Sequence, residues 1–315
     1  MKFKKILLLG YTGKEMEEEY WNKVDFVADK KVLLITDGAS LDTHLKTTDC
    51  LLVKLGAKVG QEIMDKAPNL KYIGMYGTGV GGIDLKYAAS KGITVCNIAD
   101  YATEGVAEFT FGAILEFLRE LERAKTQALN GDYSEATFTG TEIRSKKIGV
   151  VGLGNIGKRT AEIALGFGAQ VSYWSKNRKK DAENKGIKYE ELKELLETSD
   201  IITLNISLNP ETNGLLTKEL IHSMKKDALL INPSPMELVD LEAISERLKA
   251  NEMAFILDHS DEMTQEQLAK LKPYKNCIIY PPIAYTTKEA TALKKDIFVN
   301  NLENFLKSTP MNKVN

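Results

Sequence analysis

The chain of 315 residues is 43% hydrophobic and 27% charged, and its formal net charge is −2. That length suffices for two domains with separate cores, and the composition is ordinary for a globular protein. The small net charge gives no reason to expect a nucleic acid or an anionic membrane as a partner, and no apolar run is long enough to span a bilayer. The cysteines are scattered and in no metal-ligand spacing, so we expect a cytoplasmic protein without a metal site.

The first hundred residues alternate short apolar runs with segments of helical periodicity. The predicted strands are Ile6–Leu9, Val32–Ile35, Leu51–Val53, Tyr72–Met75 and Thr94–Cys96. The predicted helices between them are Gly13–Asn22, Leu41–Lys46, Val59–Ala67 and Asp84–Lys91. Such alternation favours parallel strands that are joined by right-handed helical crossovers.

A long helical pattern from Thr103 to about Leu129 interrupts this alternation. Its apolar residues cover more than one narrow stripe, which is typical of a helix buried between domains or in a subunit interface. We therefore expect a homodimer. The following segment, Asn130–Ser145, is rich in Gly, Thr and Ser and is predicted to be a loop or arm.

The alternation of apolar runs and helical patterns resumes at Lys146. The predicted strands are Lys147–Val151, Gln170–Trp174, Ile201–Asn205, Ala228–Asn232, Met253–Leu257 and Cys277–Tyr280. The predicted helices are Ile156–Gly166, Tyr189–Glu197, Lys218–Ser223, Leu241–Ala250, Gln265–Leu271 and Lys288–Lys307. Six strands after the arm suit a doubly wound dinucleotide-binding sheet.

These patterns predict an α/β protein with two flavodoxin/Rossmann-like domains, each a doubly wound parallel sheet, and a cleft between them. If the last helix returns to the first domain, that domain is discontinuous. We expect residues 1–98 plus 288–315 to form a substrate domain and residues 99–287 to form the dinucleotide-binding domain.

The glycine-rich stretch Gly152-Leu153-Gly154-Asn155-Ile156-Gly157 stands between a predicted strand and a predicted helix. Glycines let a backbone approach a pyrophosphate, and the free N–H groups and dipole of a helix N-terminus favour its negative charge. A plain tight turn is the alternative, but the flanking strand and helix favour a dinucleotide site. The predicted cofactor contacts are Gly152, Gly154, Asn155, Ile156 and Gly157.

The end of the next strand bears on the choice of nucleotide. An acidic residue about 20 positions past the glycines usually holds the adenosine ribose. Here the strand leads into Ser175, and the basic residues Lys176 and Arg178 follow. A hydroxyl beside cations suits a 2′-phosphate, and Arg178 could also stack on the adenine. We therefore favour NADP, with NAD as the second choice and a solvated basic turn as the alternative reading.

Further motifs are similar to those of one known family. They are Gly77-Thr78-Gly79-Val80-Gly81-Gly82-Ile83-Asp84, Val106-Ala107-Glu108, Thr141-Glu142-Ile143 before the glycine-rich stretch, Leu208-Asn209-Pro210-Glu211-Thr212, and Met224-Lys225 through Ile231-Asn232. On these motifs the chain resembles the D-isomer-specific 2-hydroxyacid dehydrogenases over nearly its whole length.

The resemblance implies hydride transfer between a nicotinamide and a small 2-oxo or 2-hydroxy acid, or a related carbonyl compound. It implies that the backbone amides of Gly77, Thr78 and Gly79 bind the substrate carboxylate and that Lys54 touches the substrate. It also implies that Asp258 contacts the nicotinamide carboxamide.

The chain departs from the family at two catalytic positions. The family is known for an arginine, a glutamate and a histidine, but Pro235 stands at the arginine position and Pro282 at the histidine position. Proline has no titratable group and no side-chain donor. Losing a general acid or base typically costs about 10²–10⁴ in rate. By the resemblance, only the glutamate remains, as Glu262.

Replacement groups must therefore be sought elsewhere in the chain. His259 follows Asp258 at the end of a predicted strand and is a candidate acid or base, whereas His44 and His222 lie in predicted helices. The phenols of Tyr285, Tyr101 and Tyr76 are further candidates, if a nearby cation such as Lys54 lowers a phenol pKa. For each of these side chains, packing or solvation without a catalytic role is the alternative.

Two hypotheses follow from the sequence. The first is an NAD(P)-dependent oxidoreductase with rearranged catalytic groups: Glu262, His259, Tyr285 and Lys54. The second is a catalytically inactive NAD(P)-binding member of the family that acts as a sensor or scaffold.

Overall fold

The computed structural model describes residues 1–35 and 39–315. The chain divides into two compact units, one of Met1–Tyr101 with Lys288–Asn315 and one of Ala102–Thr287. Each unit contains its own parallel β-sheet. The structure is therefore an α/β protein with two parallel-sheet domains, as the alternation of strands and helices predicted.

The first unit is built on a five-stranded sheet. Its strands are β1 (Ile6–Leu9), β2 (Lys31–Leu34), β3 (Cys50–Val53), β4 (Tyr72–Met75) and β5 (Thr94–Cys96). The spatial order is β2-β1-β3-β4-β5, and all neighbouring strands are parallel. Every residue of β1, β3 and β4 is buried, which explains why these strands are continuous apolar runs.

The connections of the first unit contain four helices among the described residues. They are α1 (Glu18–Phe26), α2 (Ala39–Leu45), α3 (Gln61–Asp65) and α4 (Leu85–Ser90). The predicted start of α1 at Gly13 is wrong. The Glu15 carboxylate accepts hydrogen bonds from the backbone N–H groups of Thr12 (3.0 Å) and Gly13 (2.9 Å), so residues 12–15 form a local turn that precedes the helix.

The second unit is built on a seven-stranded sheet. Its strands are β6 (Lys147–Val151), β7 (Gln170–Trp174), β8 (Lys188–Tyr189), β9 (Ile201–Leu204), β10 (Ala228–Asn232), β11 (Met253–Leu257) and β12 (Cys277–Ile279). The spatial order is β12-β11-β10-β9-β6-β7-β8, and all pairs are parallel. The prediction of six strands missed β8, which pairs only two residues with β7 and is too short to show a periodicity.

The second unit contains eight α-helices among the described residues. They are α5 (Thr103–Arg119), α6 (Leu121–Leu129), α7 (Asn155–Gly166), α8 (Lys180–Glu183), α9 (Leu192–Thr198), α10 (Lys218–Ser223), α11 (Leu241–Lys249) and α12 (Gln265–Ala269). The prediction of one helix from Thr103 to Leu129 is wrong. Glu120 adopts a left-handed conformation (φ 51°) and separates α5, which buries seven residues, from α6, which buries none.

The C-terminal helix α13 (Lys288–Leu306) belongs to the first unit. Phe298, Val299 and Leu302 of this helix join a core cluster that also contains Tyr11 and Tyr76. Asn301 is buried and donates a hydrogen bond from Nδ2 to the carbonyl oxygen of Asn97 (2.8 Å). Within the part of the chain that the structure describes, no helix is long and apolar enough to cross a membrane.

Candidate functional site

The glycine-rich turn lies where the strand order of the seven-stranded sheet reverses, between β6 and β9. Gly152 has φ +95°, and a Cβ atom at this position would lie 2.5 Å from the carbonyl oxygen of Asn205. A Cβ atom on Gly157 would lie 1.9 Å from the carbonyl oxygen of Gly152. Both positions therefore require glycine, and helix α7 starts against the end of β6.

The N-terminus of α7 is open. Gly154 is the N-cap residue, no side chain caps the helix, and a Cβ atom on Gly154 would have no neighbour within 4 Å. Asn155 and Ile156 form the first turn with Gly157. Uncapped N–H groups at a helix N-terminus in a glycine turn bind phosphate groups. These residues fit the pyrophosphate of a dinucleotide.

Two buried oxygen atoms at the carboxyl ends of strands in the same sheet have no hydrogen-bond partner among the described residues. They are Oδ1 of Asn205, which directly follows β9, and Oδ1 of Asp258, which directly follows β11. The other carboxylate oxygen of Asp258 accepts a hydrogen bond from the backbone N–H of Ala284 (2.9 Å). Because unsatisfied buried acceptors are costly, these two oxygens suit a ligand that brings N–H or O–H donors, such as a carboxamide and ribose hydroxyls.

The basic side chains of the turn after β7 are paired with carboxylates, which the sequence did not predict. Arg178 donates to both carboxylate oxygens of Glu183 (2.6 and 3.1 Å) and lies over the ring of Tyr189. Lys176 forms an ion pair with Glu211, and the Ser175 hydroxyl donates to the carbonyl oxygen of Asn177. Both basic side chains are exposed, so these ion pairs are weak and a phosphate ester can compete for them.

His259 and Glu262 lie together at the end of β11. The 3₁₀ turn Ser260–Glu262 brings Oε1 of Glu262 to 3.6 Å from Nδ1 of His259. Burial raises the pKa of the Glu262 carboxyl, and Asp261 raises it further, while His259 acts in the opposite direction. Burial likewise raises the pKa of Asp258. The end of β11 thus combines an imidazole with a group of carboxylates.

The phenols of Tyr285 and Tyr76 have raised pKa values, whereas a nearby cation would lower them. Burial raises the pKa of Tyr285, and the nearby carboxylates of Asp261, Asp258 and Glu262 raise it further. Burial raises the pKa of Tyr76 to about 12. The surroundings of these two residues therefore give no support to a cation-activated phenol, and a catalytic role of Tyr285 stays a prediction.

Pro235 and Pro282 are both half-buried, and each lies in a constrained loop. Pro235 precedes the 3₁₀ turn Met236–Leu238, and its carbonyl oxygen accepts from the N–H of Leu238 (3.3 Å). The loop of Pro282 is attached to β11 through the hydrogen bond from Ala284 to Asp258.

The remaining predicted site residues belong to the first unit. Lys54 directly follows β3, and its ammonium forms an ion pair with Glu15 (3.1 Å). Hydrogen bonds from Thr12 and Lys54 hold the pKa of Glu15 at about 2, against the opposing effect of burial. The positive charge of Lys54 is therefore largely compensated within the unit.

The loop Gly77–Gly79 follows β4. The carbonyl oxygens of Gly77 and Thr78 accept hydrogen bonds from the backbone N–H of Ile98 (2.9 Å) and from Nδ2 of Asn97 (2.7 Å). The Thr78 hydroxyl donates to the carbonyl oxygen of Ile98 (2.9 Å). Since Thr78 and Gly79 are exposed and their carbonyl sides face the protein, the loop is arranged to offer N–H groups to an anion.

The sequence analysis did not identify two residues of these sites, Asn205 and Glu15. Asn205 could have been found as the polar residue that ends a strand beside the glycine turn. Glu15 carries no such signal, because it is one charge among many on a predicted helix.

An open parallel sheet with a glycine turn at its switch point, an uncapped helix N-terminus and buried acceptors on neighbouring strand ends defines a dinucleotide-binding α/β protein. A sequence model of the D-isomer specific 2-hydroxyacid dehydrogenase NAD binding domain matches residues 111–284. The chain belongs to the D-isomer specific 2-hydroxyacid dehydrogenase family.

Relatives and solved structures agree with this assignment. A hydroxypyruvate reductase from Blautia hydrogenotrophica is 34% identical over 265 residues, or 81% of each chain. An acyclic imino acid reductase, Bsp5, in complex with NADPH and D-Arg is 28% identical with a TM-score of 0.86, over 99% of this chain and 100% of that one. A D-lactate dehydrogenase from Aquifex aeolicus, complexed with NAD and lactic acid, is 26% identical with a TM-score of 0.85, over 96% of both chains.

Gly154→Ala tests the open helix terminus. The new methyl group meets no protein atom within 4 Å, so the fold should be retained while the methyl obstructs the pyrophosphate. We expect the affinity for NADPH to fall by about tenfold or more, measured by calorimetric titration. Gly166→Ala, at the far end of the same helix and equally open, should leave the affinity unchanged. Equal affinities for Gly154→Ala and the wild type would contradict this site.

Proposed function

We propose that the protein is an NAD(P)-dependent oxidoreductase that transfers hydride between a nicotinamide and a 2-oxo or 2-hydroxy acid. The observation that carries the proposal is the pair of His259 and Glu262, 3.6 Å apart, directly after the buried and half-satisfied carboxylate of Asp258. This pair supplies an acid–base group despite Pro282, while the site for a nicotinamide nucleotide is retained.

A bound nicotinamide nucleotide would supply or accept a hydride at C2 of the substrate. Asp258 would hold the carboxamide of that nucleotide through Oδ1, because its Oδ2 already accepts a hydrogen bond from Ala284. His259 donates a proton to the substrate oxygen during reduction, and Glu262 orients the imidazole and stabilises its protonated form. The N–H groups of Thr78 and Gly79 hold the substrate carboxylate, so the first unit serves as the substrate domain.

His259→Gln tests the acid–base assignment. We expect kcat/KM for a 2-oxo acid to fall by about 10²–10⁴-fold, since a general acid contributes that much, with NADPH affinity unchanged. The measurement is NADPH oxidation with hydroxypyruvate, glyoxylate and pyruvate. His222→Gln is the matched control, because His222 lies on α10 and contacts Glu246 instead. If the wild type binds NADPH but reduces no substrate, the protein is the inactive binding member and the proposal fails.

A second candidate substrate class is the 2-imino acids. Proline at position 282 and an end of β11 rich in carboxylates favour it, and the similar structure of an acyclic imino acid reductase agrees with it. When hydride adds to C2 of a protonated imine, the electron pair of the C=N bond moves to nitrogen. That step needs no proton donor, and nearby carboxylates stabilise the cationic substrate. Reduction that requires added ammonia and survives His259→Gln would identify this class.

We propose NADP as the preferred nucleotide, with NAD as the second choice. No carboxylate follows β7 directly, and Arg178 and Lys176 are held only by exposed ion pairs. A 2′-phosphate would replace Glu183 as the partner of Arg178, and the Tyr189 ring would keep the guanidinium in place.

Two substitutions should change the nucleotide preference in opposite directions. Arg178→Ala should lower the ratio of NADPH to NADH affinity by about tenfold, because a charge-assisted hydrogen bond is lost. Glu183→Gln should raise the ratio, because it removes the carboxylate that competes for Arg178. Lys185→Ala, which breaks only an ion pair with Glu162, is the control. Tighter binding of NADH than NADPH by the wild type would overturn the assignment.

We also propose that the chain forms a homodimer through α6 and the segment after it. Helix α6 buries no residue in the isolated chain, and Leu121, Leu129 and Tyr133 are exposed by 51%, 83% and 83%. Apolar side chains exposed to this extent on one segment are typical of an interface. Sedimentation at micromolar concentration should give the dimer mass, and Leu129→Glu should shift it towards the monomer. A monomeric wild type would refute the proposal.

A further inference from the structure

Lys294 of α13 is a half-buried cation that lies above aromatic rings of the first unit. Its ammonium nitrogen is 4.4 Å from the ring centroid of Tyr76 and 5.2 Å from that of Tyr101. Tyr76 directly follows β4, so the side chain of Lys294 reaches the carboxyl end of the five-stranded sheet.

The two neighbouring lysines differ from Lys294 in their partners. Lys54 pairs with Glu15 at 3.1 Å, and Lys295 pairs with Glu17. Among the described residues, no carboxylate forms an ion pair or hydrogen bond with Lys294. Burial and the like charge of Lys54 both lower the pKa of Lys294. A half-buried ammonium that forms no ion pair with a carboxylate of the described residues is electrostatically favourable for an incoming anion.

The Lys294 ammonium lies near the carboxyl ends of the strands of the first sheet, where ligands bind in sheets of this kind. The strand order of the first sheet reverses between β1 and β3. Tyr11 follows β1 closely and Lys54 follows β3, and the ring of Tyr11 contacts that of Tyr76 with centroids 6.0 Å apart. In open parallel sheets, ligands bind outside the carboxyl ends of the strands at such a point. The loop Gly77–Gly79, with its N–H groups, continues from Tyr76.

We propose that Lys294 is the cation that binds the substrate carboxylate, a role that Pro235 has no side-chain group to fill. The ligand class, a small carboxylic acid, rests on the proposed function. Lys54, whose charge Glu15 compensates, borders the same site. The rings of Tyr76 and Tyr101 hold the Lys294 stem and ammonium in position through cation–π contacts.

The experiment is a calorimetric titration of the full-length protein with oxalate, a non-reducible carboxylate, with and without NADPH. Lys294→Met should weaken oxalate binding by about tenfold or more, and Lys294→Arg should keep most of the affinity. Lys288→Met removes an exposed lysine at the start of the same helix and should have no effect. Melting curves establish that each variant is folded.

A measurement on the unsubstituted protein covers the case in which Lys294→Met does not fold. Reductive ¹³C-methylation keeps the lysine charges, and the resonance missing in Lys294→Arg identifies Lys294. Oxalate should shift this resonance and leave that of Lys288 in place. Unchanged affinity in Lys294→Met, an unmoved Lys294 resonance, or no oxalate binding by the wild type would overturn the inference. Oxalate binding through Lys294 without any turnover would refute the proposed reaction and leave this site intact.

Discussion

The close contact between the end of β6 and the start of α7 is the constraint on which the nucleotide half of the protein depends. A side chain on Gly157 would meet the carbonyl oxygen of Gly152 at 1.9 Å, so the helix cannot start this near the strand with any other residue. Ala161 and Ala164 continue the contact one and two turns later with small buried side chains. The same contact directs the first N–H groups of α7 outward past the strand end, where charge-stabilising donors are needed.

This constraint does not determine the acid–base group, which in our proposal lies at another strand end. In the family that the sequence resembles, the histidine follows the last strand, whereas the proposed imidazole, that of His259, follows β11. Leu257 of β11 pairs directly with Ile279 of β12, so the two strand ends are neighbours. Moving an imidazole between them displaces it by about one strand spacing, roughly 4.8 Å. Proton transfer requires hydrogen-bond distances, so the proposed role of His259 requires the substrate oxygen to lie within reach of the end of β11.

The sequence predicted most strands well because buried parallel strands are continuous apolar runs that end at glycine or polar residues. The strands with the predicted bounds are β1, β4, β5, β6, β7, β10 and β11. The predicted bounds of two helices are wrong where a local contact or backbone conformation determines where the helix begins or ends. The Glu15 carboxylate delays α1, and Glu120 ends α5 in a left-handed conformation that its residue type does not signal.

The sequence predicts a candidate site only where the residues of that site are close together along the chain. The glycine turn is such a site, and the spacing of its glycines identifies it. The partners of charged groups are not local: Glu15 and Lys54 are 39 positions apart, and Lys294 reaches Tyr76 from the other end of the chain. Which lysine keeps an uncompensated charge is therefore a property of the fold, and no pattern of lysines along the chain identifies it.

The charges at the two strand-end sites are opposite, and this constrains the substrate. In the first unit, the pKa of Glu15, about 2, keeps the pair with Lys54 ionised at neutral pH, so Lys294 adds a net positive charge. In the second unit, Asp258, Asp261 and Glu262 surround a single histidine. By their charge, the site in the first unit suits an anionic group, and the site in the second unit suits a basic or positively polarised atom.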